Sequence, residues 1–131
     1  MAAFDTNVVV RLLVRDDEAQ CRRAEAAFRG CLADEGVWLS TVVLVEVSWV
    51  LRVAYRFDRA ATALALRRLI ATEGVTVEDD GATSRALVAF EAGPADFADY
   101  IILEAARGAD ALPLRTFDER LARADGVVPV R

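Results

Sequence analysis

The chain has 131 residues, of which 55% are apolar and 28% charged, and it contains neither His nor Lys, so its 16 cationic side chains are all Arg. This composition is typical of one globular domain, and it excludes Ser-His-Asp and Cys-His hydrolases, His-ligated zinc sites, Lys-containing phosphate loops and Schiff-base chemistry. Any acid–base or metal chemistry must use the 21 acidic residues, and the net charge of −5 argues against a general nucleic-acid binder.

Short apolar segments, typical of buried parallel strands, alternate along the chain with longer helical segments. The five predicted strands are, in order, AAFDT, GVWLS, GVTVED, ALPLRTF and GVVPV. The predicted helices cover about residues 17–32, 41–55, 58–71, 82–91 and 95–107, with Asp17 and Asp58 as caps. This order predicts an α/β fold in which residues 1–131 form a single domain, with a central parallel sheet of about five strands and helices on both faces.

No signal peptide is visible, and the most apolar stretch, VVLVEVSWVL, is too short and too charged to span a membrane. Cys21 and Cys31 form no metal or redox motif, so free thiols in a reducing cytoplasm suit them best.

Asp5 interrupts an apolar run in the opening sequence MAAFDTN. It is either a turn residue or helix cap, as Asp-Thr-Asn favours, or part of a site, because sites of α/β folds lie beyond the carboxyl ends of the strands.

Glu46 lies in the middle of an almost wholly apolar helix, which we expect to be largely buried. A buried carboxylate needs an Arg partner such as Arg52, access to water or a bound cation. The sequence leaves these alternatives open.

Two further acids, Asp96 and Asp99, share a helix face in ADFADYIILEAA. Asp96 suits an N-cap, whereas a cap does not by itself explain Asp99 so close to the buried segment that follows. In LRTFDERLAR, Thr116 and Glu119 match a capping box, which leaves Asp118 as an ordinary acid of the first turn.

The acids are distributed over four places in the predicted fold. Asp5 follows the first strand, and Glu46 lies on the next apolar helix. Asp96 and Asp99 open a later helix, and Asp118 follows the fourth strand. The carboxyl ends of parallel strands meet at one edge of a sheet, so we expect the carboxylates to converge. Three or four converging carboxylates without Lys or His describe a site for Mg²⁺, or alternatively Mn²⁺.

The stretches FDTNVVVRLL, TVVLVEVSWVL, ADFADYIILEAA and LRTFDERLAR together resemble the PIN domain, and most closely the VapC-type toxins of bacterial toxin–antitoxin systems. The resemblance covers essentially the whole chain and implies an α/β metal-dependent ribonuclease. It implies catalytic and metal-binding roles for four acids: Asp5, Glu46, Asp99 and Asp118. It implies supporting roles for Thr6, Asn7, Asp96 and Thr116.

The resemblance also implies an RNA substrate, a homodimer and a small VapB-type antitoxin that holds the enzyme inactive. We expect the RNA to meet Arg residues such as Arg11, Arg15 and Arg115. We expect the helices from Asp17 and Thr41 to leave apolar surface uncovered for these partners. The candidates are Phe28, Leu32, Trp49, Val53, Tyr55 and Phe57.

Two other classes of protein remain alternatives. One is a non-catalytic PIN-like binding module, against which the intact acidic set speaks. The other is an α/β protein with an acidic pocket, such as a receiver domain or a haloacid-dehalogenase-like phosphatase. Both of these normally need a Lys near the acids, and this chain has none.

Overall fold

Short parallel strands alternate with six helices in the computed structural model, which describes all residues from Met1 to Arg131. The strands are β1 (Ala2–Ala3), β2 (Val37–Leu39), β3 (Val75–Val77), β4 (Leu114–Thr116) and β5 (Val127–Pro129). The helices are α1 (Thr6–Leu13), α2 (Glu18–Ala33), α3 (Thr41–Val53), α4 (Arg59–Ala71), α5 (Asp80–Ala92) and α6 (Phe97–Gly108), and a 3-10 turn covers Leu121–Arg123. The α/β prediction is confirmed, and the chain forms two compact units, Met1–Asp80 and Gly81–Arg131.

The prediction of one central sheet of about five strands is wrong. In the first unit β1, β2 and β3 form a three-stranded parallel sheet in that order, and in the second unit β4 and β5 form a separate parallel pair. No strand is longer than three residues, so each ladder has only two or three paired positions. The apolar pattern reveals that a segment is extended, but parallel strands are joined by long crossovers, so the pattern does not reveal which strand pairs with which.

Helix α1 is the element that the sequence pattern does not predict. It contains the β-branched run Val8-Val9-Val10, which favours a strand. The segment is helical because Asp5 caps its first turn and because Val9 and Val10 are buried where α1 packs against α2 and α3. Packing of this face overrides the local propensity, as it commonly does for short helices.

The predicted caps of the first unit are confirmed. Asp17 accepts a hydrogen bond from the backbone N–H of Gln20 at 3.1 Å, and Asp58 accepts one from Ala61 at 2.7 Å. The turn into β2 needs a glycine, because Gly36 has a φ of +92° and a Cβ there would lie 2.7 Å from the carbonyl oxygen of Gly74.

The core of the first unit lies between its sheet and one face of each helix. Val37 and Leu39 of β2 are fully buried, as are Leu44 and Leu51 of α3 and Leu66 of α4. The ring of Phe4, just after β1, meets Phe28 of α2 edge to face at 6.0 Å between ring centres. Since α1 packs against both α2 and α3, its first turn has a defined position in the unit.

The second unit has a small aromatic core of its own. Phe90 of α5 and Phe97 of α6 are fully buried and meet edge to face, with ring centres 6.1 Å apart. Tyr100 is also buried, and its hydroxyl accepts a hydrogen bond from the backbone N–H of Ala95 at 3.2 Å. These contacts fix the start of α6, where the acids Asp96 and Asp99 lie.

Helix α3 is less buried than the sequence predicts. One of its faces carries Val42, Glu46, Trp49 and Val53, and the three apolar members of this row are 66%, 63% and 56% exposed. We call these four residues the α3 row. The helix has more apolar surface than its own unit covers. None of the helices is both long enough and apolar enough to span a membrane.

Candidate functional site

Asp5 caps the helix that follows the first strand. Its Oδ1 accepts a hydrogen bond from the backbone N–H of Val8 at 3.1 Å, and its backbone is extended, with φ −86° and ψ 174°. The cap interpretation of Asp5 is therefore confirmed. Its side chain is exposed, and Oδ2 has no hydrogen bond within the protein, so one oxygen remains available to a ligand.

Glu46 is exposed, so of the alternatives left open by the sequence its carboxylate has access to water. It forms no ion pair with Arg52 or any other cation. Its partner is instead the hydroxyl of Thr6, which donates to Glu46 Oε1 at 2.6 Å across forty residues of sequence. Thr6 directly follows Asp5, so this bond ties the acid of α3 to the turn that carries Asp5. Asn7, the next residue of α1, is exposed.

Asp96 and Asp99 form a capping pair at the start of α6. Oδ2 of Asp99 accepts a hydrogen bond from the backbone N–H of Asp96 at 3.0 Å. A cap thus explains the position of both acids, because the Asp99 side chain is hydrogen-bonded to the backbone of Asp96, the N-cap residue of the same helix. Oδ1 of the half-buried Asp99 has no partner in the protein.

Asp118 folds back onto the backbone that follows it. Its Oδ1 accepts hydrogen bonds from the N–H groups of Arg120 at 2.8 Å and Leu121 at 3.4 Å. The N–H of Arg120 is the main reason that the pKa of Asp118 lies below its usual value. The predicted Thr116–Glu119 capping box does not form, since the Thr116 hydroxyl accepts from the N–H of Asp118 at 2.9 Å.

The four predicted acids share one arrangement. Each commits one carboxylate oxygen to the protein and leaves the other without a hydrogen bond within it. Carboxylate oxygens are the type of ligand that a hard divalent cation such as Mg²⁺ or Mn²⁺ prefers. The structure contains no group of three or more Asp, Glu or Cys side chains placed to hold a metal ion. Asp5 and Glu46 belong to the first unit and Asp99 and Asp118 to the second, so the convergence of all four stays a prediction.

A polar network in the first unit was not predicted. Arg11 donates from Nη1 to Asp16 Oδ1 and to the Tyr55 hydroxyl, both at 3.2 Å, and from Nε to Gln20 Oε1 at 2.7 Å. The hydroxyl of Tyr55 donates in turn to Asp16, which lowers the pKa of that carboxyl, and its bond from Arg11 raises the pKa of the guanidinium. Gln20 was visible in the sequence only as part of a helix start, and Tyr55 only as apolar surface.

The other expected contact residues divide into two groups. Arg115 is exposed, whereas Arg15 is engaged by Glu25 and lies 3.7 Å from Glu18. Of the apolar candidates, Trp49 and Val53 are exposed. The remaining four, which are half-buried, are Phe28, Leu32, Tyr55 and Phe57.

Comparison with known families matches residues 2–127 to the family described as PIN domain. No curated protein matches the chain. The matched range includes all four predicted acids and spans both compact units.

Proposed function

The chain belongs to the PIN domain family, whose members are generally metal-dependent nucleases, and from this premise we propose that it is a Mg²⁺-dependent endoribonuclease of the VapC type. The observation that carries the proposal is the shared arrangement of Asp5, Glu46, Asp99 and Asp118, each with one oxygen held by the protein and one open. Mn²⁺ is the alternative metal, because it takes the same oxygen ligands.

These four carboxylates are the residues that would hold the metal. A bound Mg²⁺ supplies Lewis-acid chemistry: it lowers the pKa of water and stabilises negative charge on a phosphate. The chain's own residues orient the acids. Thr6 fixes one oxygen of Glu46, and the backbone N–H of Asp96 fixes one oxygen of Asp99. With neither His nor Lys in the chain, the side chains available to accept a proton at the site are carboxylates.

We further propose that the chain is a toxin that forms a homodimer, is held inactive by a VapB-type antitoxin and acts in the cytoplasm. Two surfaces of the first unit support the partners. The first surface is the exposed α3 row. The second is a partly apolar cavity between α1, α2 and α4, whose lining includes Leu12, Leu13, Phe28 and Leu69. Uncovered apolar surface of this kind is typical of interaction sites. Cys21 and Cys31 are free thiols, which suits a reducing compartment.

The decisive experiment measures cleavage of a circular single-stranded RNA by the purified chain with Mg²⁺, with Mn²⁺ and with EDTA. A circular substrate has no ends, so its linearisation reports endonuclease activity alone. We expect linear product only with a divalent metal, and no product from Asp5→Asn. Asn remains a good helix cap, so this variant removes the charge and keeps the fold.

The matched control is Glu73→Gln, which removes the charge of an exposed acid that makes no ion pair. It should cleave like the unmodified chain. Cleavage by Asp5→Asn at the unmodified rate, or cleavage that persists in EDTA, would contradict the proposal. A chain that binds RNA or a protein partner and never cleaves would favour the non-catalytic binding module.

The partner proposal has its own test, which is expression of the chain alone and with the product of an adjacent gene. We expect growth arrest from the chain alone, rescue on co-expression, and a dimer in solution by light scattering. Toxicity that co-expression leaves unchanged, or a purified chain that stays monomeric, would defeat the partner proposal even if the nuclease proposal survived.

A further inference from the structure

We propose that a cleft between α1 and α2 binds phosphate groups of the RNA beside the cleavage site, with Arg23 as the main electrostatic contact. The inference rests on the proposed function, and it assigns the substrate backbone to a defined surface of the first unit.

The cleft has a volume of about 320 Å³. Its polar lining consists of Asn7, Arg11, Gln20 and Arg23, and Val8 and Ala24 form part of its apolar floor. No Asp or Glu lines it, although the chain as a whole carries a net charge of −5. A site whose polar groups are guanidinium and amide N–H donors suits an anion, and a phosphate in particular.

Arg11 and Arg23 have different roles in this cleft. The guanidinium of Arg11 is held by Gln20, Asp16 and Tyr55 through Nε and Nη1, which leaves Nη2 without a hydrogen bond in the protein. Arg11 is thus a fixed donor whose charge is balanced by Asp16. Arg23 is exposed and makes no ion pair, so its full charge is available to a ligand. By contrast, Arg15, another candidate for RNA contact, is already engaged by Glu25.

The position of the cleft favours RNA over an acidic protein segment. Asn7 lines the cleft and lies two residues after Asp5, on the same first turn of α1 that carries Thr6. The lining of the cleft therefore begins two residues from Asp5, which we propose to lie at the cleavage site. Phosphate contacts of this kind place the substrate and add affinity without reading its bases.

The test is a pair of substitutions on neighbouring residues of α2, Arg23→Ala and Arg22→Ala. Both residues are exposed and make no ion pair, but only Arg23 lines the cleft. Each change removes one positive charge from the same helix, so the pair separates a local contact from general electrostatics. Binding of a fluorescent single-stranded RNA is measured by anisotropy with Mg²⁺ at several salt concentrations, in the cleavage-deficient Asp5→Asn protein.

We expect Arg23→Ala to weaken binding about fivefold to tenfold, the size of one exposed charge-assisted phosphate contact, and to reduce the slope of log K against log salt by about one. Arg22→Ala should change binding less than about twofold, since general electrostatic effects of one surface charge are small. Arg23→Lys should restore most of the salt slope and only part of the affinity, because it keeps the charge and loses the planar fork.

Equal effects of Arg22→Ala and Arg23→Ala would overturn the proposal, as would unchanged RNA binding by Arg23→Ala, the result expected if the cleft receives an acidic protein segment. The nuclease proposal fails separately. RNA binding that depends on Arg23 but is never followed by cleavage in the unmodified chain would support the cleft and reject the nuclease. Cleavage is compared with Asp5 in place. Equal cleavage by Arg22→Ala and Arg23→Ala, together with unchanged RNA binding, would support the nuclease and reject the cleft.

Discussion

The two compact units position their acidic residues by different means. In the first unit, Asp5 and Glu46 come from different helices, and the hydroxyl of Thr6 connects them. In the second unit, Asp99 and Asp118 are held by backbone N–H groups within three residues of themselves. The geometry of the first pair depends on how α1 packs against α3, whereas each acid of the second unit is placed by its own turn.

This difference predicts which substitutions change the positions of the acids in each unit. A substitution in the core of the first unit can move its acids relative to each other without touching them. In the second unit, a change must affect the capping residues themselves to move an acid, because short-range backbone hydrogen bonds survive small shifts of the surrounding core. Four predictions test the comparison.

The largest effect is expected from removing one proposed metal-binding charge in each unit, with Glu46→Gln and Asp118→Asn. A bound metal supplies several kcal/mol of transition-state stabilisation, so each variant should cleave RNA about a thousandfold more slowly or worse. Gln can still accept the bond from Thr6, and exposed substitutions usually change the free energy of unfolding by less than about 0.5 kcal/mol. Thermal melts in EDTA check this: a large fall in melting temperature for Glu46→Gln would show that the charge of Glu46 has a structural role instead.

A smaller effect, on stability, is expected from Leu44→Ala in the core of the first unit. Leu44 is fully buried on α3, so the change should lower the free energy of unfolding by about 3 kcal/mol. Because α3 carries Glu46, Mg²⁺ affinity should fall as well, although no acid has changed. Urea denaturation and calorimetric Mg²⁺ titration measure the two effects. Unchanged Mg²⁺ binding in a destabilised protein would mean that packing does not control this pair.

Replacing Asp5 separates its structural role from its chemical one. Asp5→Ala removes the cap of α1 and should destabilise the chain by about 1 kcal/mol, whereas Asp5→Asn should lose only a few tenths. Both should be equally inactive. Urea denaturation of the two variants checks the difference, and equal stability would show that the hydrogen bond to Val8 contributes little.

The smallest effect concerns pH and the second unit. The pKa of Asp118 is lowered in the folded chain, chiefly by the N–H of Arg120, so the ionised carboxylate stabilises the fold. This contribution is complete above the ordinary Asp pKa of about 3.9, and it is lost as the pH falls from there through the lowered value. In EDTA, the stability of the unmodified chain should therefore fall slightly more between about pH 4 and pH 2 than that of Asp118→Asn. Identical pH profiles would contradict the assignment.

The sequence predicts those features that depend on neighbouring residues. The caps Asp17 and Asp58 were predicted because a cap involves only a few adjacent residues. Helix α1 was missed, since three consecutive valines favour a strand and the contacts that make them helical come from α2 and α3. The separate β4–β5 pair was missed for a similar reason, because strand pairing is decided far along the chain.

The candidate site shows the same limit. The cap role of Asp5 was predicted, but the hydrogen-bond partner of Glu46 was not. The bond between Thr6 and Glu46 spans forty residues and has no local signal. The sequence left the surroundings of Glu46 open, because a nearly all-apolar helix has no periodicity from which its uncovered face could be read.

The α3 row places Glu46 among Val42, Trp49 and Val53 on one exposed face. Any surface that covers this row must also remove water from the Glu46 carboxylate, and an ionised carboxylate resists that transfer. A cation bound at Glu46 reduces the penalty. If the proposed metal binds at Glu46 and a partner covers the row, occupancy of the metal and coverage of the row are thermodynamically linked, and each changes the equilibrium constant of the other by the same factor. Through this one face of α3, the strength of the proposed association would then depend on the free Mg²⁺ concentration.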